Sequence, residues 1–202
     1  MSVIAALKAG DLDAVIAALD ASPEAVDERD EQGVPALMWS LYIRRQDLTD
    51  LLLARGAAVD FFAACALGRG DTAAAFLNGR PDLISSPSPD GWTALHLAAF
   101  FGHTPLAAAL LERGADPLAR SANPMANLPI HAAAAAQQPA LVALLLQAGT
   151  PANSTQHGGY TPLHSACQNN DEESIALLLA HGGDLAHRAD DGRTPASLRP
   201  SA

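Results

Sequence analysis

The chain repeats itself, and that repetition limits its fold more than any other property. The segment Thr161-Pro162-Leu163-His164-Ser165-Ala166 is followed by Leu178-Leu179 and then Gly182. Slid along the chain, Thr161 falls on Thr194 and on Leu128, each a step of 33 residues, and Leu128 falls on Thr93, a step of 35. A second marker fixes the same register, because Gly56, Gly114, Gly149 and Gly182 each follow a Leu-Leu pair by three residues. The step from Gly114 to Gly149 is again 35, so the two extra residues lie between Gly114 and Leu128, and Ala115 to Asn127 reads as a longer loop. Units this small hold too little apolar surface to stand alone. Each must bury its face on the next, which makes the array quasi-one-dimensional.

One copy shows the logic of the unit. Thr93 can cap a short helix whose Leu95, Ala98 and Ala99 form its apolar face. Gly102 supplies a left-handed turn, Thr104 caps a second helix with Pro105 at its first position, and Leu110-Leu111 close the buried face before Gly114 ends it. The residues are 49% hydrophobic but only 4% aromatic, so Ala and Leu must build the core and let neighbouring helices approach closely.

These residues resemble the ankyrin repeat, a family with a 33-residue period and a T-P-L-H-x-A motif. The resemblance implies an all-α solenoid of about six stacked helix-turn-helix repeats with hairpin loops, plus a truncated C-terminal cap. It extends upstream through Gly68, which puts Phe76-Leu77 in the Leu-Leu column, and Gly10, which puts Ala18-Leu19 there. The expected repeats run over 1–30, 31–60, 61–90, 91–123, 124–156 and 157–189, with a cap at 190–202, all in one domain spanning 1–202. Some units depart from the motif. The second has Pro35 for Thr, Met38 for His and Arg44 where a left-handed Gly is expected; the third lacks most of its hairpin and has Val59 where the Thr should stand. Irregular stacking is expected there.

Charge and hydropathy exclude several partners. Twelve basic against twenty-two acidic residues give a formal charge of -10, which repels nucleic acid. No apolar run exceeds seven residues, so no bilayer-spanning segment is expected, and residues 1 to 20 show no signal-peptide core. The absence of such segments leads to the expectation of a cytoplasmic protein, taken as a monomer, and Lys8 as the sole lysine with Arg- and Ala-rich usage points to a GC-rich bacterial source. Cys65 and Cys167 share a column of the first helix and read as small core residues, with no partner for a bridge.

No catalytic signature or cofactor fingerprint is present: there is no G-x-S-x-G, P-loop or H-E-x-x-H. His96, His131 and His164 recur in one column, so the stack should hold them about 10 Å apart, too far to share a metal. The resemblance makes them structural, hydrogen-bonding within and between hairpins.

In ankyrin-like repeats, the residue before the motif Thr and the two before the inter-helix turn face a concave binding groove. Here these are Trp92, Phe100 and Phe101 in repeat four, Tyr160, Gln168 and Asn169 in repeat six, and Tyr42 and Ile43 in repeat two. Repeat five offers Asn127, Ala135 and Ala136, a dip between aromatic rises, and Arg113 could flank the groove. Large rings on an exposed ridge suggest a protein partner. On this reading Trp92 and Phe101 contribute little stability. The competing reading packs Phe100 and Phe101 over the gap at repeat three. Alternative functions are a small-ligand pocket at that gap, or a self-associating scaffold.

Overall fold

A computed structural model describes residues 2–200. The first six repeats each fold as an inner and an outer helix joined by a tight turn. The inner helices are α1 (Val3–Ala9), α3 (Ala36–Tyr42), α5 (Phe61–Ala66), α7 (Ala94–Phe101), α9 (Pro129–Ala135) and α11 (Pro162–Gln168). The outer helices are α2 (Leu12–Ala21), α4 (Gln46–Ala54), α6 (Gly70–Gly79), α8 (Thr104–Glu112), α10 (Pro139–Gln147) and α12 (Glu172–Ala180). A seventh inner helix, α13 (Pro195–Leu198), packs on α11. The fold is the all-α solenoid that the repeat predicts. Among the described residues no helix is long and apolar enough to cross a membrane.

The core is Leu and Ala, as composition requires. Inner helices stack through Ala63, Ala64, Ala98, Ala99, Ala133, Ala134 and Ala166, all almost wholly buried, and Leu52, Leu110, Leu145 and Leu178 pin the outer helices to them. Burying each such Leu stabilises the fold by about 1.5–3 kcal/mol. α8 begins one residue earlier than the sequence suggests: His103 occupies the cap position, and Thr104 and Pro105 are its first two helical residues.

Six turns connect inner to outer helices, and all pass through a left-handed residue: Gly10, Arg44, Gly68, Gly102, Gln137 and Asn170. At Gly68 glycine is needed for space as well as for φ, whereas at Gly102 an added Cβ would have only the flexible end of Gln138 to push aside. A Cβ at Gly68 would lie 2.5 Å from His103 Nδ1, and one at Gly102 would lie 2.8 Å from Gln138 Oε1. Arg44 (φ 54°), Gln137 (φ 57°) and Asn170 (φ 53°) hold the same conformation with side chains. L-residues adopt it at a cost of about 1–2 kcal/mol.

Repeat three is the anomaly, and one detail of its expected register is corrected. Asp60, not Val59, occupies the Thr column: its carboxylate caps α5 by accepting from Ala63 N at 2.8 Å. From Pro35 to Asp60 is 25 residues, so this unit has lost its finger. Asp27 Oδ1 accepts from Ala58 N (2.8 Å) and ties the shortened linker to the preceding repeat. Fingers four to seven are joined by backbone hydrogen bonds, Ala122 N to Gly91 O (2.7 Å), His157 N to Met125 O (2.9 Å) and Asp190 N to Gly158 O (2.9 Å). No finger stands between those of repeats two and four.

Candidate functional site

Three histidines form a ladder through the regular repeats. In repeat four, His96 Nδ1 accepts from Thr93 N (3.3 Å) and pairs with the Thr93 hydroxyl (2.8 Å), while Nε2 donates to Asn127 O of the next finger (2.9 Å). His131 accepts from Leu128 N (3.2 Å) and donates to Ser154 O (3.0 Å). His164 accepts from Thr161 N (3.0 Å) and donates to Arg193 O (3.3 Å). Each ring must be neutral, with its proton on Nε2, to make both bonds. Burial pushes His96 and His131 down to about 4, and lowers His164 as well. Among the described residues no three His, Cys, Asp or Glu side chains cluster to hold a metal. Cys65 and Cys167 are buried, and burial raises both thiols, Cys65 to about 12.

The aromatic residues gather in the N-terminal half. Tyr42 of repeat two stacks on Phe101 of repeat four at 5.7 Å and meets Trp92 edge-on at 6.3 Å. Phe100 packs against Trp92 (5.2 Å) and Phe101 (5.1 Å). The Tyr42 hydroxyl donates to Asp90, which also takes the Ser88 hydroxyl. Burial, and then the Asp90 charge, raise the Tyr42 pKa. These rings reach across repeat three because it has no finger between them and its inner helix presents Ala63, Ala64 and Ala66. Trp92 and Phe101 are thus part of the clasp between repeats two and four, a packing that argues against their contributing little stability. The competing reading, rings covering the gap, describes their packing.

The other expected groove residues are scattered. Tyr160 is half-buried in its finger: its hydroxyl donates to Asp191 (2.6 Å) and Arg193 lies over its ring (5.5 Å). Gln168 is exposed, and Asn169 Nδ2 donates to Ala135 O (3.1 Å), spanning repeats five and six. Ile43 is half-buried and Ala135 exposed, whereas Ala136 is buried. Asn127 is corrected, because it is buried in the fifth finger, where its carbonyl receives His96. Arg113 is corrected too. It ends the outer helix α8, bonds Asn78 Oδ1 at 3.1 Å and lines a cleft between α6 and α8, away from the inner helices.

Sequence reasoning missed three contributors. Trp39, one turn before Tyr42 on α3, meets it edge-on at 6.5 Å and donates to Asp30 Oδ2 (2.9 Å). Lys8 lies 4.4 Å over the Trp39 ring, and Arg44 lies 5.7 Å over Phe100. The half-buried aromatic run from Trp39 to Phe100 therefore carries a cation at each end. The i, i+3 spacing of Trp39 and Tyr42 was the available signal.

Comparisons with known proteins agree with this architecture. A family model described as ankyrin repeats (3 copies) matches residues 3–121 and 130–198. The chain is 30% identical over 121 residues to the target of rapamycin complex 2 subunit AVO2 of Saccharomyces cerevisiae, covering 59% of this chain and 28% of that protein. It is 25% identical to the probable 26S proteasome regulatory subunit p28 of the same yeast, over 82% of this chain and 78% of the relative. NF-kappa-B inhibitor alpha of Gallus gallus is 32% identical over 46% of this chain and 30% of its own length. The chain thus spans less than a third of the first and last of these relatives. With its paired helices, left-handed turns, fingers and histidine ladder, the chain belongs to the ankyrin repeat family.

Proposed function

We propose that this chain is a non-catalytic protein-binding module, acting as one domain and as a cytoplasmic monomer, that receives its partner on the concave face of inner helices and fingers. The observation that carries this reading is the aromatic run from Trp39 to Phe100, half-exposed on repeats two and four and flanked by Lys8 and Arg44. Aromatic and Arg residues are the side chains that dominate binding energy at protein interfaces. The relatives support the reading by name, since two are called subunits and one an inhibitor. Phe100 and the exposed Gln168 are the contacts that can be changed with least damage to the clasp. Tyr42, Trp92 and Phe101 contribute shape, with Tyr160 and Asn169 extending the face.

The test compares proteins captured from lysate by the wild type and by a Phe100→Ala/Gln168→Ala variant of equal thermal midpoint. A protein enriched by the wild type alone supports the reading. Equal enrichment by both baits, or no capture by either, overturns it.

A further inference from the structure

The stack has a dent where repeat three is deficient. α5 spans six residues, against seven in α3 and eight in α7, so its turn sits back from those on either side. The resulting cavity of about 400 Å³ has Ala66 and Leu67 at its base, Leu41 and Arg44 on the repeat-two side, and Phe100 and Phe101 on the repeat-four side. That volume lies within the range of small-molecule sites, about 300–1,000 Å³.

Its charge is unusual for this protein. Acidic residues outnumber basic ones by twenty-two to twelve, yet no Asp or Glu lines the cavity. Two of the neighbouring basic groups, Arg45 and His103, are already engaged. Arg45 is held by Asp47 (2.6 Å) and Gly10 O (2.7 Å), and His103 Nε2 bonds Ala66 O (2.8 Å). Arg44 differs. Among the described residues it has no carboxylate within ion-pair distance, it lies over Phe100, and it keeps a left-handed backbone in a column where three other repeats have Gly.

We propose that this cavity binds a carboxylate joined to a flat apolar body, with Arg44 taking the carboxylate and the Phe100-Phe101-Leu67 surface taking the body. Arg is suited to this because its guanidinium can meet a carboxylate through two parallel hydrogen bonds and stack on a ring at the same time. The ligand is either a free small acid or the terminal carboxylate of a chain ending in an aromatic residue. The site does not depend on the groove reading, since lysate capture can succeed where this test fails, and the reverse.

Titration of the full chain with 3-phenylpropionate and with neutral 3-phenylpropionamide, followed by amide NMR shifts, tests it. The acid should saturate at millimolar concentration and shift signals near Arg44, Ala66 and Phe100, and the amide should bind about tenfold more weakly. Arg44→Asn suits the left-handed turn and keeps the fold, with an unchanged thermal midpoint as the check, and it should weaken the acid about tenfold. Arg188→Gln, the same charge change elsewhere, should leave affinity unaltered. An acetylated tripeptide ending in Phe separates the sources: tighter binding than the free acid assigns the site to a chain terminus, and weaker binding to a small acid. No saturable binding of either probe, equal binding of acid and amide, or insensitivity to Arg44→Asn overturns the proposal.

Discussion

Repeats one to three and repeats four to six solve the same stacking problem with different chemistry. The later repeats are joined by neutral histidines that reach into the following finger, backed by a backbone ladder along the finger edge. The earlier repeats have no histidine in that column. Carboxylates do the joining instead: Glu28 accepts from Val3 N (2.7 Å) and Asp27 from Ala58 N (2.8 Å), with the aromatic clasp bridging the missing finger. The buried neutral histidines take up protons, and lose their contribution, at a higher pH than a carboxylate held below its ordinary value such as Asp30. The two halves should therefore come apart under different conditions.

The largest expected effect is pH itself. In the unfolded chain a histidine takes up a proton near its ordinary value of about 6.5, while folded His96 and His131 resist until about 4. Between those limits the unfolded state binds more protons, so stability falls as pH falls, by up to about 3 kcal/mol per histidine. His164 acts in the same direction. Asp30 in the earlier half titrates below the ordinary carboxylate value: burial opposes this, but bonds from Val34, Trp39 and Gln32 outweigh it. Hydrogen exchange at pH 7 and pH 5 should show residues 94–168 losing protection while residues 3–54 keep theirs. Equal loss in both halves would break the comparison.

A substitution in the ladder sharpens it. His131→Leu leaves Leu128 N and Ser154 O unpaired and should cost about 3 kcal/mol, while removing part of the acid sensitivity in urea titrations at the two pH values. In the clasp, Phe101→Ala should cost about 2 kcal/mol, less than the 3–5 typical of a fully buried ring, with no change in pH dependence. The smallest effect concerns the turns. Gln137→Gly should raise stability by less than about 1 kcal/mol, since it relieves a left-handed side chain at φ 57° while adding unfolded-state freedom.

Legibility follows the same division. From Thr93 to Arg193 the motif, helix order and histidine role could all be read from the sequence, because each unit repeats its neighbour's chemistry. The neutral ladder at His96, His131 and His164 was expected in kind, though not its acceptors. Around repeat three the reading weakened. Loss of the finger is visible, but counting forward from Pro35 across the shortened unit gives no regular step, and only a step of 33 back from Thr93 lands on the true cap, Asp60, rather than on Val59. The aromatic residues were harder still. A groove column fixes which way a side chain leaves its own helix, but not that Tyr42 and Phe101 meet over an intervening repeat. That contact depends on what is absent between them. Asn127 and Arg113 were misplaced for a related reason: a longer finger folds back on itself, and a helix-end Arg can turn toward the outer layer.

The histidine ladder also gives the array a direction. Every Nε2 donates forward, His96 to the finger of repeat five, His131 to that of repeat six and His164 to Arg193 in the segment beyond. Shortening the protein from its C-terminal end strands one of these three imidazoles at each step, whereas shortening it from the other end strands none of the three. A repeat emerging during synthesis must wait for its successor before its histidine is satisfied. The short segment from Asp190 to Leu198, which has only one helical turn of its own, thus completes a bond that begins in the repeat before it.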